Sequence, residues 1–408
     1  MAAQINTNRL AVSCCIAGWI CGGLLACETQ CVVDDAHAPR LTATIQVPDH
    51  ALDAFDISWL DPVTQRYYLA DRANSGIEVV DAKHDEYLTR ITGFAGNADH
   101  DHSGPNGIVV ASREGELWAG DGDSTVKVID LATGDTQTVS TGGSARTDEV
   151  AYAPGISVVL AVNNAEESTD DPTSGPFATL ISTAASHAIV GRLTFHDASA
   201  GLEQSVWDAQ SEHFLLAIPE LDGDPARGEI AVIDPKLIAV VAHYPVEECE
   251  PAGLALGPGH QLLVGCSGDA IEAGFAAKSL LLDTRDGSLI ATFPQVGGSD
   301  EVWYNPGDHH YYLAARDNPN GPVLGVIDAA TAQFSTNVAT TPDAKSVAAD
   351  PRGKVFVPLT PTTDPFANDP ARGLHCENGC IGVFTNPGSC TPAKPGGLGA
   401  IANHKHPS

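Results

Sequence analysis

The chain has 408 residues, 43% of them hydrophobic, with 40 glycines, 27 prolines and a single methionine. That length and apolar content allow a large core, and the Gly and Pro content points to many short strands and turns rather than long helices. With 52 Asp+Glu against 21 Lys+Arg, the formal charge is −31, which repels nucleic acid and anionic lipid and leaves cations or neutral molecules as the favoured ligands; the same charge also suits solubility or a salty habitat.

At the N-terminus one cation, Arg9, precedes an apolar run from Leu10 to Ala26 that closes on Leu24-Leu25-Ala26-Cys27. These are the three regions of a secretory signal, residues 1–26. A run of 17 residues broken by three cysteines and three glycines makes a poor plain membrane anchor. The last four residues resemble the lipobox of bacterial lipoproteins. That resemblance implies Cys27 as the lipidated mature N-terminus, residues 27–40 as a tether, and an exported protein held to the envelope by its lipid alone. Glu28 after the cysteine favours an outer-membrane or surface location. Cys14, Cys15 and Cys21 leave with the signal, so Cys31, Cys249, Cys266, Cys376, Cys380 and Cys390 remain as an even set in an oxidising compartment.

Leu41–Val47 then alternates like a lone strand, and seven units follow, with first strands starting near Asp56, Asn106, Asp148, Gln204, Pro251, Asp300 and Lys345. Residues 299–317 show the unit most clearly: Glu301–Asn305 runs out, a Pro-Gly-Asp turn follows, and His310–Ala315 returns. Third strands read GIEVVD, VKVID, FATLIS, EIAVID, SLLLD, VLGVID and IGVFT, most with a fourth behind them. A four-stranded unit of about 40–55 residues, repeated, is the signature of a β-propeller. The seventh unit lacks a fourth strand, and pairing it with Leu41–Val47 closes the ring and removes two exposed edges. The expectation is an all-β, seven-bladed propeller over residues 41–389, followed by a loose tail, 390–408.

The third-strand ending Val128-Ile129-Asp130-Leu131-Ala132-Thr133-Gly134 (VID-x-x-TG) resembles the YVTN/NHL class of bacterial propellers. With ADRANSGIEVVD (70–81), GPNG (104–107) and EQSVWD (203–208), the chain resembles extracytoplasmic propellers placed beside the gluconolactonase/regucalcin group. That resemblance implies a metal at the channel, held by acidic and amide side chains, although those enzymes have six blades. Streptogramin lyases have seven, with magnesium and a histidine base, and no stretch here aligns with their histidine motif.

In a propeller the first strand of each blade lines the central channel, and its start shares a face with the loop joining strands two and three. Asp56, Asn106, Asp148, Gln204, Asp300 and Lys345 therefore ring one channel mouth, with Glu149, Glu203, Glu250 and Glu301 beside them. Second-strand ends bring Asp71, Arg72, Asp121, Asn163, Glu220, Arg316 and Asp317 to the same face. Crowded oxygen donors raise one another's pKa or recruit a hard divalent ion, Ca2+ or Mg2+ rather than zinc or copper. Asp56, Asn106, Asp148, Glu203 and Asp300 are the candidate ligands. The competing reading has the same acids capping turns and pairing with Arg72, Arg146, Arg316 and Lys345.

Residues 97–104 (NADHDHSG) overhang the same mouth, and there His100 and His102 with Asp99 and Asp101 could ligate a transition metal or supply a base, or form a solvated loop. His309 and His310 read as structural. Cys249 and Cys266 flank one hairpin of blade five symmetrically, which predicts a cross-strand disulfide at the rim. Cys376 and Cys380 are predicted to staple the loop before the last strand, with Cys390 or with each other; zinc held by these three and His375 is the alternative, at a non-standard spacing. Long insertions at residues 164–176, 221–228, 268–278 and 361–379 crowd one face, as binding loops or lids do.

No GxSxG elbow, phosphate loop, dinucleotide fingerprint or HExxH helix is present. Two functions fit. The first is a monomeric, envelope-anchored propeller that binds a small molecule or an envelope protein at its channel mouth. The second is a divalent-metal-dependent hydrolase or lyase of the lactonase type, in which the metal polarises a carbonyl and Glu149 or Glu301 moves protons.

Overall fold

The repeated hairpin builds the described part of the chain. In a computed structural model, which describes residues 38–164 and 175–386, 28 strands form seven antiparallel four-stranded sheets. Blade one runs from β2 (Phe55–Asp61) to β5 (Glu86–Thr92) and blade two from β6 (Ile108–Ala111) to β9 (Thr136–Ser140). Blade three spans β10 (Thr147–Ala153) to β13 (Ile189–Thr194), and blade four β14 (Ser205–Asp208) to β17 (Ala239–Glu247). Blade five spans β18 (Pro251–Leu256) to β21 (Leu289–Phe293), and blade six β22 (Val302–Asn305) to β25 (Gln333–Ala339).

Blade seven takes β26 (Ala348–Asp350), β27 (Lys354–Leu359) and β28 (Cys380–Thr385) from one end of the propeller and β1 (Arg40–Ile45) from the other. The pairing sets Arg40 opposite Thr385 and Ile45 opposite Ile381. The first strands neighbour one another in sequence and β26 returns to β2, so the ring is closed. The expected closure is therefore present, with the strand at Arg40–Ile45 rather than Leu41–Val47.

Each first hairpin turns through a residue in the left-handed region: Gln65, Gly115, Ser157, Glu212, Gly259, His309 and Gly353, with φ between 55° and 98°. Only three are glycine, so four blades hold an L-residue where its Cβ is crowded. Backbone bonds hold it there. The His309 N–H donates to Asn305 O at 2.9 Å, and His309 O accepts from Ala329 N at 2.9 Å; Gln65 repeats this with Asp61 and Ala82. The aspartate that ends each VID-type strand has a structural use: Asp130 Oδ1 accepts from the N–H groups of Ala132 and Thr133, and Asp234 Oδ1 from those of Lys236 and Leu237. Much of the acidic excess is thus turn chemistry.

The apolar core is divided into seven clusters, one at each blade–blade junction. Tyr68 and Ile77 of blade one meet Val110 and Leu117 of blade two, and Phe356 and Val383 of blade seven meet Tyr67 and Val80 of blade one. Cohesion passes round the ring rather than through a common centre. Gly253 serves the inner packing, because a Cβ there would clash with the backbone of Asp300 and Val302 in blade six.

Cys249 and Cys266 are disulfide-bonded, as are Cys376 and Cys380, which takes two of the three thiols of the zinc reading. Cys27, Cys31 and Cys390, with the signal, most of the tether and the tail, lie outside the described residues. Among the described residues no helix is long and apolar enough to cross a membrane. The first bridge closes a separation of 17 residues, so replacing both Cys249 and Cys266 by serine is expected to cost about 3 kcal/mol through loop entropy. Urea unfolding measures this, and an unchanged midpoint would contradict it.

Candidate functional site at the channel mouth

Three inner strands begin with a bulge. The register shifts between Phe55 and Ser58 in blade one, Thr147 and Val150 in blade three, and Pro251 and Leu254 in blade five. An extra residue re-aims its neighbours. In blade three this turns both Asp148 and Glu149 towards a cavity of about 420 Å³ at the channel mouth, within the size range of small-molecule sites.

One side of this cavity is a lattice of ion pairs. Asp56 accepts from Arg72 Nη2 at 2.5 Å and lies 2.8 Å from Lys345 Nζ. Arg72 also donates to Asn106 Oδ1 through Nε at 3.0 Å and Nη2 at 2.6 Å. Asp148 Oδ2 accepts from Arg146 Nη2 at 2.9 Å and Asn164 Nδ2 at 3.1 Å, while its Oδ1 is 3.9 Å from Arg72 Nη2. Arg316 spans Asp300 at 3.4 Å and Asp317 at 3.1 Å. Burial alone would raise the Asp148 carboxyl, but Arg146, then Arg72 and Asn164, hold it well below the usual range. Burial opposes the charge on Arg146, and Asp148 more than restores it.

Below the mouth, polar side chains staple neighbouring blades. Asn106 Nδ2 donates to Thr147 O at 2.8 Å, and Gln204 Oε1 accepts from Leu254 N at 2.6 Å. Glu301 belongs to this set: its Oε2 accepts from Val347 N at 3.0 Å, Ser58 N at 3.4 Å and Ser346 Oγ. Burial pushes Glu301 up to about 8 despite those bonds. It does not line the cavity. Asp71, Asp121 and Asn163 are likewise engaged in local bonds, to Asn74, to Ala95 and Gly122, and to Ser124.

The other side differs. Glu149 and Glu250 line the cavity, each only 5% exposed, and no side-chain hydrogen bond reaches either carboxyl among the described residues. Burial, then Asp148, Asp56 and Glu203, push Glu149 well above the usual range. Burial, then Asp269 and Glu220, raise Glu250 to about 7. Blades four and five give the cavity only carboxyls as charged groups: Glu203, Glu250 and Asp269. Asp269 was not singled out from the sequence. It stands on a short helix, α1 (Gly268–Glu272), whose N-cap Ser267 accepts from Ala270 N, and a serine three residues before that amide was the readable signal.

The histidine loop forms a turn of 3-10 helix at His100–His102 with Asp99 as its cap. His100 lines the cavity and its carbonyl accepts from Arg146, while His102 Nδ1 sits 2.6 Å from Asp99 on the exposed side. The blade-seven insertion does not cover the mouth. Arg372 donates to Leu41 O, His375 N to Thr44 Oγ1 and Gln46 Nε2 to His375 O, which pins that loop to β1. Blade five supplies Gly268 and Asp269 to the mouth, and residues 165–174 of the blade-three insertion lie outside the described residues.

A calcium ion needs six to eight oxygens at about 2.3–2.6 Å. Among the described residues no three His, Cys, Asp or Glu side chains converge to hold a metal. Of the five candidate ligands, Asp56, Asp148 and Asp300 are occupied by arginine or lysine, Asn106 Oδ1 by Arg72, and Glu203 belongs to blade four. Four of the five are thus held by cations where a divalent ion would need them free. No protein-family model matches the chain, and no curated protein matches it.

The raised carboxyls carry a sign for stability. Glu149, Glu250 and Glu301 hold protons in the folded state where an unfolded glutamate has lost them. Stability therefore falls as pH rises from about 5 to 8. Asp148 acts oppositely: its contribution is present above the unfolded carboxylate range and is lost as pH falls through its depressed value. The melting temperature is expected to drop by a few degrees between about pH 5 and 8, and Glu149→Gln should flatten that slope. A flat wild-type profile would contradict the assignment.

Proposed function

We propose that the protein is an envelope-anchored binding propeller that takes a small polar molecule in its channel mouth. The observation that carries this reading is the cavity of about 420 Å³ whose wall holds two buried carboxyls, Glu149 and Glu250, without side-chain hydrogen-bond partners among the described residues. Groups buried in that state are costly unless a ligand or water meets them. The ion pairs opposite supply a rigid, pre-organised wall. The anchor is read from the sequence around Cys27. In support, β1 begins and β28 ends on the face opposite the mouth, so the mouth points away from where the chain enters and leaves the propeller.

The lactonase-type alternative finds no matching support. Four of its five candidate metal ligands, Asp56, Asn106, Asp148 and Asp300, are engaged by arginine or lysine, and Glu301 is turned into a blade–blade staple.

A thermal-shift screen of small anionic, neutral and cationic compounds tests the binding reading. At least one is expected to raise the melting temperature by several degrees at concentrations near 100 times Kd, equivalent to about 2.7 kcal/mol. Ala200 lines the mouth and is half-buried, so Ala200→Trp should abolish the shift and leave the ligand-free protein folded. A shift that survives Ala200→Trp, or no shift with any compound, would overturn the proposal.

A further inference from the structure

The charges around the cavity are divided by blade, and that division specifies the ligand. All four permanent cations, Arg72, Arg146, Arg316 and Lys345, come from blades one, three, six and seven. They meet Asp56, Asp148, Asp300 and Asp317 within the wall. The carboxyls outnumber the cations eight to four, and the two buried glutamates without side-chain partners, Glu149 and Glu250, stand on blades three and five.

Resting on the binding reading above, we infer that the ligand is a small organic cation, an alkylammonium or guanidinium compound, seated between Glu149 and Glu250. Three observations support it. First, both carboxyls are buried, lack side-chain partners among the described residues and face the cavity. A cation seated there takes the place of the proton that burial holds on each carboxyl; the carboxylate so formed only accepts hydrogen bonds, so its complement is a donor, and its buried charge is favourable beside the opposite charge. Second, the two acids stand on different blades, and among the described residues no three ligating side chains converge. That spacing suits a cation whose donors are spread over several ångströms rather than a point ion. Third, an anionic ligand would have to displace aspartates from the arginines while lying against Glu149 and Glu250, and the net charge of −31 steers cations inward and anions away.

The test is titration calorimetry at about 150 mM salt, where exposed charges are screened beyond about 8 Å. The probes are putrescine, agmatine, choline and ethanolamine, with glutarate and glucose alongside. At least one cationic probe is expected to bind one to one. Glu149→Gln and Glu250→Gln should each weaken it about tenfold or more, the loss of one charge-assisted hydrogen bond. Glu86→Gln, an exposed position on the outer strand of blade one, should leave the affinity unchanged. Circular dichroism confirms that each variant is folded; both glutamines remove a charge that the folded state disfavours. Binding of glutarate or glucose in place of the cations would keep the binding mouth and overturn the cationic ligand. Cation binding indifferent to both cavity substitutions would also overturn it. No binding by any of the six would overturn it together with the binding reading.

Discussion

Deletion of residues 40–45 is expected to abolish cooperative folding. These residues are β1, the fourth strand of blade seven, and their loss bares the edge of β28 from Cys380 to Thr385. Leu41 and Ile45 leave the clusters on either side of that blade at the same time. Because every apolar cluster lies between two blades, none can compensate from a common centre. An open ring with a bare strand edge pairs with other chains, so size-exclusion should show aggregates and calorimetry a lost or broadened transition. A monomer that melts at the wild-type temperature would show that closure does not depend on β1.

Arg146→Ala is expected to destabilise the fold by about 3–5 kcal/mol, the cost of leaving a buried charge without its partner. The side chains of Arg146 and Asp148 are only 8% and 6% exposed. Removing the guanidinium strips Asp148 of its main counter-charge and frees the His100 carbonyl. Asp148→Asn should cost less, because an amide oxygen can still accept from Arg146. Pairing Arg146→Met with Asp148→Leu should recover much of the loss, since an apolar pair replaces two buried charges. Chemical denaturation of the three variants measures this. If Arg146→Ala lies within about 0.5 kcal/mol of wild type, the range of an ordinary surface substitution, the lattice is not structural.

The blades were legible because each repeats a short hairpin; six of the seven inner-strand starts carry Asp, Asn, Gln or Lys, and five of the seven third strands end on an aspartate. The closure by the N-terminal strand followed from the missing fourth strand of blade seven. The interior of the mouth was less legible, and the tripeptide Asp-Glu-Val shows why. It occurs at 148–150 and again at 300–302, and the sequence assigned Glu149 and Glu301 the same role. In blade three the strand bulges and Glu149 turns into the cavity. In blade six the strand starts at Val302 without a bulge, and Glu301 is captured by Ser346 and Val347 of blade seven and Ser58 of blade one. A bulge depends on how a strand meets its partner, which the tripeptide does not encode.

The same limit applies to the candidate metal ligands. Four of the five, Asp56, Asp148, Glu203 and Asp300, share the cavity wall, and Asn106 lies outside that lining. What the spacing did not reveal was that Arg72 would reach three of the mouth's side chains, Asp56, Asn106 and Asp148, from one position. The alternative reading, with cations pairing these acids, is the geometry found. The four left-handed hairpin residues that are not glycine, His309 among them, carry no sequence signal either; for Gln65, Ser157 and His309 a backbone bond from the next turn holds that conformation.

Whether the mouth's carboxyls answer to arginine, lysine and protons or to a metal is decided by elemental mass spectrometry on the purified protein, before and after chelation, with a melting curve alongside. The geometry predicts substoichiometric divalent metal and a melting temperature that chelation moves by no more than about 1 °C, less than the shift of a single kcal/mol. One calcium or magnesium per chain, lost on chelation together with several degrees of stability, would contradict it and return the metal-dependent chemistry to the mouth.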